Sequence, residues 1–138
     1  MIELEVIPAA RAYGIAVLVW SPLHGGLLSG VLRKLRDGTA VKSAQGRSAE
    51  ALEEHRAAIE AYERFCADAG RDPAEVGLAW LASRPGVTAL VIGPRTSEHV
   101  DSAMAALRRG LSEDELSRLE DLFPPIGKGG SGPQAWNA

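Results

Sequence analysis

The sequence predicts one α/β domain in which two parallel strands are combined with about five helices. Two short apolar segments, residues 15–20 and 87–92, are rich in β-branched residues and lack polar alternation. That pattern is typical of strands in a parallel sheet that is covered on both faces. Segments with helical spacing and capping residues flank the two strands. The chain has 138 residues, 46% of them hydrophobic, which is enough for one globular core.

The amino-terminal part of the chain predicts a short helix, a strand and a glycine-containing loop. Apolar residues at helical spacing precede Gly14, and glycine commonly ends a helix in the left-handed conformation. The strand over 15–20 comes next, and the glycines and proline of residues 21–30 predict a loop at its carboxyl end. Residues 31–47 show little apolar periodicity and are interpreted as a polar surface loop.

The middle of the chain predicts two helices. Apolar residues recur at steps of three and four over 48–69, and Gly70 ends this long amphipathic helix. Asp72 and Glu75 supply an N-cap and a reciprocating carboxylate for a mostly buried helix over 73–83. The buried stripe of the first helix is expected to contain Leu52, His55, Ile59, Tyr62 and Cys66.

The carboxyl-terminal part predicts a second strand–loop–helix unit and a last helix. The strand over 87–92 is followed by a glycine-containing turn and by a helix with apolar residues at helical spacing, which Thr96 or Ser97 can cap. Ser112 and Glu115 form a capping box for the last helix. Residues 124–138 are rich in Gly and Pro and predict an irregular tail. The globular segment is therefore expected over 1–123.

Composition argues against several classes of function. The net charge of −3 and the absence of a basic cluster make nucleic acid an unexpected partner. Cys66 is the single cysteine, which excludes an internal disulfide framework. The three histidines, His24, His55 and His99, are too far apart in sequence for a structural zinc site. No signal peptide is recognised and no apolar stretch approaches the ~18 residues of a membrane span, so a cytoplasmic chain without metal is expected.

Both predicted strands are followed by a glycine-containing loop and a helix. Carboxyl ends of parallel strands share one edge of a sheet, and helix N-terminal N–H groups favour anions there. This arrangement favours a phosphate-bearing ligand. Loops after strands seven and eight of closed (β/α) barrels frequently form such a site, so the pattern is consistent with the end of a barrel. The alternative is that Gly25, Gly26 and Gly30 only permit a tight connection.

The residues of the first loop add a specific resemblance. The loop reads Trp20-Ser21-Pro22-Leu23, and Gly26, Leu28 and Gly30 follow. This pattern resembles the aromatic-Ser-Pro-Leu-x-x-Gly-x-Leu-x-Gly segment of the aldo-keto reductases. It implies the carboxyl-terminal portion of an eight-stranded (β/α) barrel, so that this chain would form an incomplete barrel. Further segments resemble landmarks of that family in the same order: residues 5–9, 76–81, 91–98 and 111–116.

The resemblance implies that the first loop binds NADPH. Trp20 matches the aromatic residue that packs on the nicotinamide ring, a role that suits a flat π surface at a strand end; the alternative is a core tryptophan. The family's pyrophosphate loop is matched by Ser21, Leu23, Gly26 and Leu28.

The resemblance also implies a second contact to NADPH after the second strand. Gly93 and Arg95 match the segment that grips the adenosine 2′-phosphate, for which a guanidinium is chemically suited; the alternative for Arg95 is an ordinary surface arginine. His99 is also expected to contact the cofactor and stands where many members have Gln or Arg. Ala103 stands where many have an adenine-contacting Asn.

Catalytic residues of the family do not map onto this chain. Family members reduce carbonyls with an Asp, a Tyr, a Lys and a His from earlier strands. Tyr13 and Tyr62 are interpreted as packing residues, and Lys34, Lys42 and Lys128 are interpreted as loop residues without a strand-end partner. General acid catalysis needs a donor within hydrogen-bond reach of the substrate, so carbonyl reduction by this chain alone is not expected.

The sequence therefore predicts the cofactor-binding, carboxyl-terminal segment of an NADPH-dependent aldo-keto reductase, with weak or absent NADPH binding by the isolated chain. Two strands cannot close a barrel, so the expected partner is the missing amino-terminal half of the barrel or a second copy of this chain. One alternative is a non-catalytic, self-associating binding protein. Another is an enzyme of different chemistry that reuses the phosphate site, with His24 as an acid or base.

Overall fold

The computed structural model describes residues 2–39 and 47–124. Within them it contains two strands and seven α-helices, preceded by a π-helical turn over Ile2–Val6. The sequence predicts about five helices; the structure adds a helix over Val31–Arg36 and divides the predicted long helix over 48–69 in two. In chain order the elements are α1 (Ile7–Tyr13), β1 (Leu18–Trp20), α2 (Val31–Arg36), α3 (Arg47–Glu54), α4 (Arg56–Asp68), α5 (Pro73–Ser83), β2 (Ala89–Val91), α6 (Ser97–Arg109) and α7 (Glu113–Leu122).

The two strands pair in parallel, as predicted, but each has only three residues. Trp20 of β1 pairs with Val91 of β2. The expected burial on both faces is wrong, since Leu18 and Trp20 are 62% and 81% exposed. On the other face, Leu90 packs against α5 and α6. One face of the sheet is thus covered by helices, whereas no other described strand or helix buries the face that carries Trp20.

Residues 31–36 form helix α2 rather than the predicted polar loop. Val31 is fully buried in a cluster with apolar residues of α3 and α4. The carboxylate of Glu63 in α4 accepts hydrogen bonds from Leu32 N and Arg33 N at 2.8 and 2.9 Å. Because this cap comes from residues about thirty positions further along the chain, local periodicity does not reveal it. Residues 40–46 of the predicted loop lie outside the described residues.

The predicted long helix over 48–69 is two helices. His55 separates α3 from α4, with φ −110° and ψ 15°, outside the α-helical region. His55 is consequently exposed and does not join the buried stripe, contrary to the prediction. The other members of the predicted stripe are buried: Leu52, Ile59, Tyr62 and Cys66.

Helix caps agree with the sequence. Asp72 accepts a hydrogen bond from Ala74 N at the start of α5, and Thr96 Oγ1 accepts one from His99 N at the start of α6. Ser112 opens α7 with both halves of a capping box. The mostly buried character of α5 is also confirmed, because it forms the centre of the domain between α4 and α6.

An apolar groove of about 340 Å³ lies between α5, β2 and α6. Met104 and Leu107, two residues of the apolar pattern of α6, line this groove and are 47% and 46% exposed. The described residues leave two apolar surfaces uncovered, this groove and the face of the sheet that carries Trp20. No described helix is both long and apolar enough to cross a bilayer. The predicted tail over 124–138 lies outside the described residues except for Pro124.

Candidate functional site

The two predicted binding loops leave the sheet at the same edge. β1 and β2 run parallel and their last residues, Trp20 and Val91, are register partners. The loop over 21–30 begins directly after Trp20, and the turn that contains Arg95 begins directly after β2. The structure therefore brings together the two segments that the resemblance assigns to one ligand.

Trp20 lies at the end of β1 with 81% of its surface exposed. The alternative interpretation, a core tryptophan, does not hold within the described part of the chain. An exposed aromatic face beside a strand end can stack on a flat heterocycle. Its role against nicotinamide stays a prediction.

The first loop is folded by its own hydrogen bonds. Ser21 has a φ of 53°, which is uncommon for a residue with a side chain. Its Oγ accepts a hydrogen bond from Gly25 N at 3.3 Å, and its carbonyl accepts one from His24 N at 2.9 Å. His24 also has a positive φ, 48°, and Gly26 has a φ of 100°. Strained residues of this kind persist where the surrounding structure holds them and are common at binding sites.

Leu23 and Leu28 anchor this loop to the core. Leu23 packs against the cluster between α5 and α6, and Leu28 packs against the cluster around Tyr62. Their side chains are half-buried in these clusters and therefore have a structural role. The prediction that Leu23 and Leu28 contribute to binding consequently concerns their main-chain groups.

The second loop presents a cation beside a helix start. Gly93, Arg95 and His99 are all exposed. Arg95 N donates a hydrogen bond to His99 Nδ1 at 3.3 Å, so this imidazole braces the turn that carries Arg95. Among the described residues, no carboxylate pairs with the Arg95 guanidinium. The N-terminus of α6, capped by Thr96, adds its positive dipole to the same region.

Two residues near the first loop make contacts that are not predicted under Sequence analysis. Lys34, interpreted there as a loop residue, lies in α2, and its Nζ is 3.0 Å from Ser29 Oγ. Glu63 is 9% exposed and caps α2. The sequence contains one signal for the position of Lys34. The apolar residues Val31 and Leu32 favour a helix, and a helical side chain tilts toward the N-terminal end of its helix, which here is the loop. Lys42 and Lys128 lie outside the described residues.

The two tyrosines differ in environment, and neither has the surroundings of a proton donor. Tyr62 is buried, as predicted, and its hydroxyl donates a hydrogen bond to the Pro73 carbonyl. Burial raises its pKa, and burial also raises the pKa of the neighbouring Cys66 thiol to about 12. Tyr13 is 82% exposed at the end of α1, so its predicted packing role is wrong for the described residues. No group of three metal-ligating side chains occurs among them either.

Comparisons with known proteins give a consistent family. The model of the aldo/keto reductase family matches residues 1–123. The uncharacterized oxidoreductase YrpG of Bacillus subtilis is 40% identical over 134 residues, which are 97% of this chain and 39% of that protein. The versiconal hemiacetal acetate reductase of Aspergillus parasiticus is 29% identical over 89% of this chain and 36% of its own length.

A solved structure shows the same fold. The glycerol dehydrogenase AKR11B4 from Gluconobacter oxydans is similar with a TM-score of 0.65 and 23% identity, over 96% of this chain and 41% of that chain. The chain thus spans about two fifths of the length of the relatives that it matches. The order of motifs, the parallel pairing of β1 and β2 and the match to the family model agree, and the chain belongs to the aldo/keto reductase family.

Proposed function

We propose that this chain is the NADPH-binding, carboxyl-terminal segment of an aldo-keto reductase. The observation that carries the proposal is the parallel register that sets Trp20 beside Val91, because it sends both family loops to one edge. Bound NADPH would supply the hydride that reduces a carbonyl. In this segment, Trp20 would receive the nicotinamide ring, the backbone of Ser21 and Gly26 the pyrophosphate, and Arg95 the 2′-phosphate.

The residues present fit such a cofactor. Three features lie at one edge of the sheet. They are the exposed Trp20, a loop in which Ser21 and His24 have positive φ, and Arg95, which has no carboxylate partner among the described residues. A planar guanidinium is suited to bidentate contacts with phosphate. Tyr62 is buried and no tyrosine–lysine pair is formed by the described residues, so the proton for carbonyl reduction would come from the remaining strands of a complete barrel.

The cofactor proposal is tested by NMR titration of the ¹⁵N-labelled chain with NADPH and, separately, NADH. We expect the indole N–H signal of Trp20, assigned with a Trp20→Phe variant, to shift with NADPH, with affinity in the millimolar range. Arg95→Gln should weaken NADPH binding about tenfold, the scale of one charge-assisted hydrogen bond, and leave NADH binding unchanged. Arg108→Gln, at the other end of α6, is the control. An unmoved Trp20 signal at saturating NADPH would contradict the proposal.

A second candidate function, self-association without catalysis, is favoured by the uncovered sheet face. Leu18 and Trp20 lie on that face with most of their surface exposed, and Val91 beside them is 44% exposed. Contiguous apolar surface of this kind drives association. Light scattering of the purified chain decides: a stable dimer or larger assembly supports this candidate, and a monomer at high concentration removes it.

A further inference from the structure

Lys34 extends from α2 toward the loop that follows β1. Its ammonium nitrogen lies 3.0 Å from Ser29 Oγ. Ser29 Oγ in turn donates a hydrogen bond to the Gly26 carbonyl at 2.7 Å. This chain of contacts holds a positive charge against the turn at Gly26. Local sequence does not indicate it, because residues 31–47 show little apolar periodicity.

The charge of Lys34 is not neutralised by a described carboxylate. The neighbouring Arg33 forms an ion pair with Asp72 at 3.2 Å, whereas no acidic side chain among the described residues pairs with Lys34 or with the exposed Arg36. A lysine ammonium has three donors, and one is directed at Ser29. Two donors are therefore available for an anion at the loop.

The first turn of α2 is not free to bind that anion itself. The Glu63 carboxylate already accepts hydrogen bonds from Leu32 N and Arg33 N. This clamp, together with the Arg33–Asp72 ion pair to the start of α5, fixes α2 and hence the base of the Lys34 side chain. A fixed lysine loses less conformational freedom on binding than a mobile surface lysine.

We propose that Lys34 is a phosphate-binding residue of the dinucleotide site and contacts the pyrophosphate. The inference rests on the proposed function, because that function identifies the loop over 21–30 as the pyrophosphate loop. Lys34 and Arg95 then serve different phosphates: Lys34 belongs to the loop after β1 and Arg95 to the turn after β2. A cation on the pyrophosphate acts equally on NADPH and NADH, whereas a cation on the 2′-phosphate acts on NADPH alone.

The test compares Lys34→Gln with Arg36→Gln, which removes the same charge from the same helix at an exposed position. The unaltered chain and each variant are titrated with NADPH and NADH by NMR, and the initial slope of the amide shifts gives relative affinity. We expect Lys34→Gln to weaken binding of both dinucleotides about tenfold, and Arg36→Gln to change it less than about twofold. Lys34→Arg, which keeps the charge, should restore most of the affinity. Added salt should weaken dinucleotide binding by the unaltered chain more than it weakens binding by the Lys34→Gln variant.

Each outcome has a distinct meaning. If the unaltered chain binds the dinucleotides and the Lys34→Gln and Arg36→Gln variants bind them with equal affinity, the role of Lys34 is overturned. The proposed function then still stands. A loss confined to NADPH would overturn the pyrophosphate assignment. An unaltered chain that binds neither dinucleotide would overturn both proposals. Amide spectra recorded without ligand establish that each variant keeps the fold. If the Lys34→Gln variant does not fold, the Lys34→Arg variant takes its place in the comparison.

Discussion

Replacing Glu63 by Gln is expected to destabilise the chain by about 2.5–4 kcal/mol. Glu63 is 9% exposed, and its carboxylate accepts hydrogen bonds from Leu32 N at 2.8 Å and from Arg33 N at 2.9 Å. A glutamine amide has one acceptor oxygen and one NH₂ group. Its oxygen can satisfy one backbone N–H, but its NH₂ group then faces the other N–H donor.

The magnitude follows from these two contacts. Losing one charge-assisted hydrogen bond costs about 1.5–3 kcal/mol, and leaving a nearly buried N–H without an acceptor adds about 1 kcal/mol or more. Glu60→Gln is the matched control, since Glu60 is an exposed residue of the same helix and its replacement is expected to cost less than about 0.5 kcal/mol. Urea unfolding followed by circular dichroism measures both variants.

Hydrogen exchange locates the effect within the chain. In Glu63→Gln, the amides of Leu32 and Arg33 should exchange faster, while amides in α5 and α6 keep their relative protection. If the Glu63→Gln and Glu60→Gln variants unfold with the same free energy, the cap contributes nothing and the explanation of α2 given above is wrong.

The remaining predictions concern a glycine and a carboxylate. Gly86→Ala should destabilise the chain about 1–3 kcal/mol more than Gly38→Ala in urea unfolding. Both glycines have a positive φ, but a Cβ at Gly86 would lie 2.5 Å from a methyl group of Ile7 in α1. A Cβ at Gly38 would have no atom within 4 Å. Although burial raises the pKa of Glu115, hydrogen bonds from the N-cap N–H and from Arg71 lower it more, and the net shift is downward. Its stabilising contribution is therefore present above the unfolded pKa and lost as pH falls through the lower folded pKa. Glu115→Gln should flatten the acid side of the stability curve, and an unchanged acid limb would contradict this explanation.

Local signals predicted the helix starts well. Asp72, Thr96 and Ser112 each accept a hydrogen bond from a backbone N–H two or three residues later. Such a contact depends only on a short stretch of sequence, so it can be recognised without knowing what the helix packs against. The parallel arrangement of the strands was equally accessible, because two apolar segments separated by helices favour a crossover connection.

Features that depend on distant residues were not predictable in the same way. The stability of α2 comes from Glu63, about thirty residues further along the chain, and no local pattern in residues 31–36 reveals that contact. Burial of β1 was predicted from its apolar composition, yet composition does not say which elements are present to cover it. Leu18 is exposed because the described helices lie on the other face of the sheet.

The candidate site was predictable as two loops at one edge, but only one of its two candidate cations was. Arg95 was found from the family pattern, whereas Lys34 became a candidate only when α2 was seen to direct it at Ser29. His99 was expected to contact the ligand. In the structure, its Nδ1 accepts a hydrogen bond from Arg95 N and so contacts the turn that carries Arg95. Whether it also touches a cofactor stays a prediction.

The binding loop and the uncovered sheet face are held by different parts of the molecule. Contacts within the described residues fix the loop: Leu23 and Leu28 in two core clusters, and Glu63 on the helix that follows. None of these contacts uses the sheet face that lacks a cover. Trp20 is the residue common to both, since it ends β1 on the uncovered face and begins the loop. Completing the sheet would therefore change the surroundings of Trp20 most and leave the rest of the loop as it is. Under the proposed function, NADPH binding and completion of the barrel would be coupled mainly through the nicotinamide end of the cofactor.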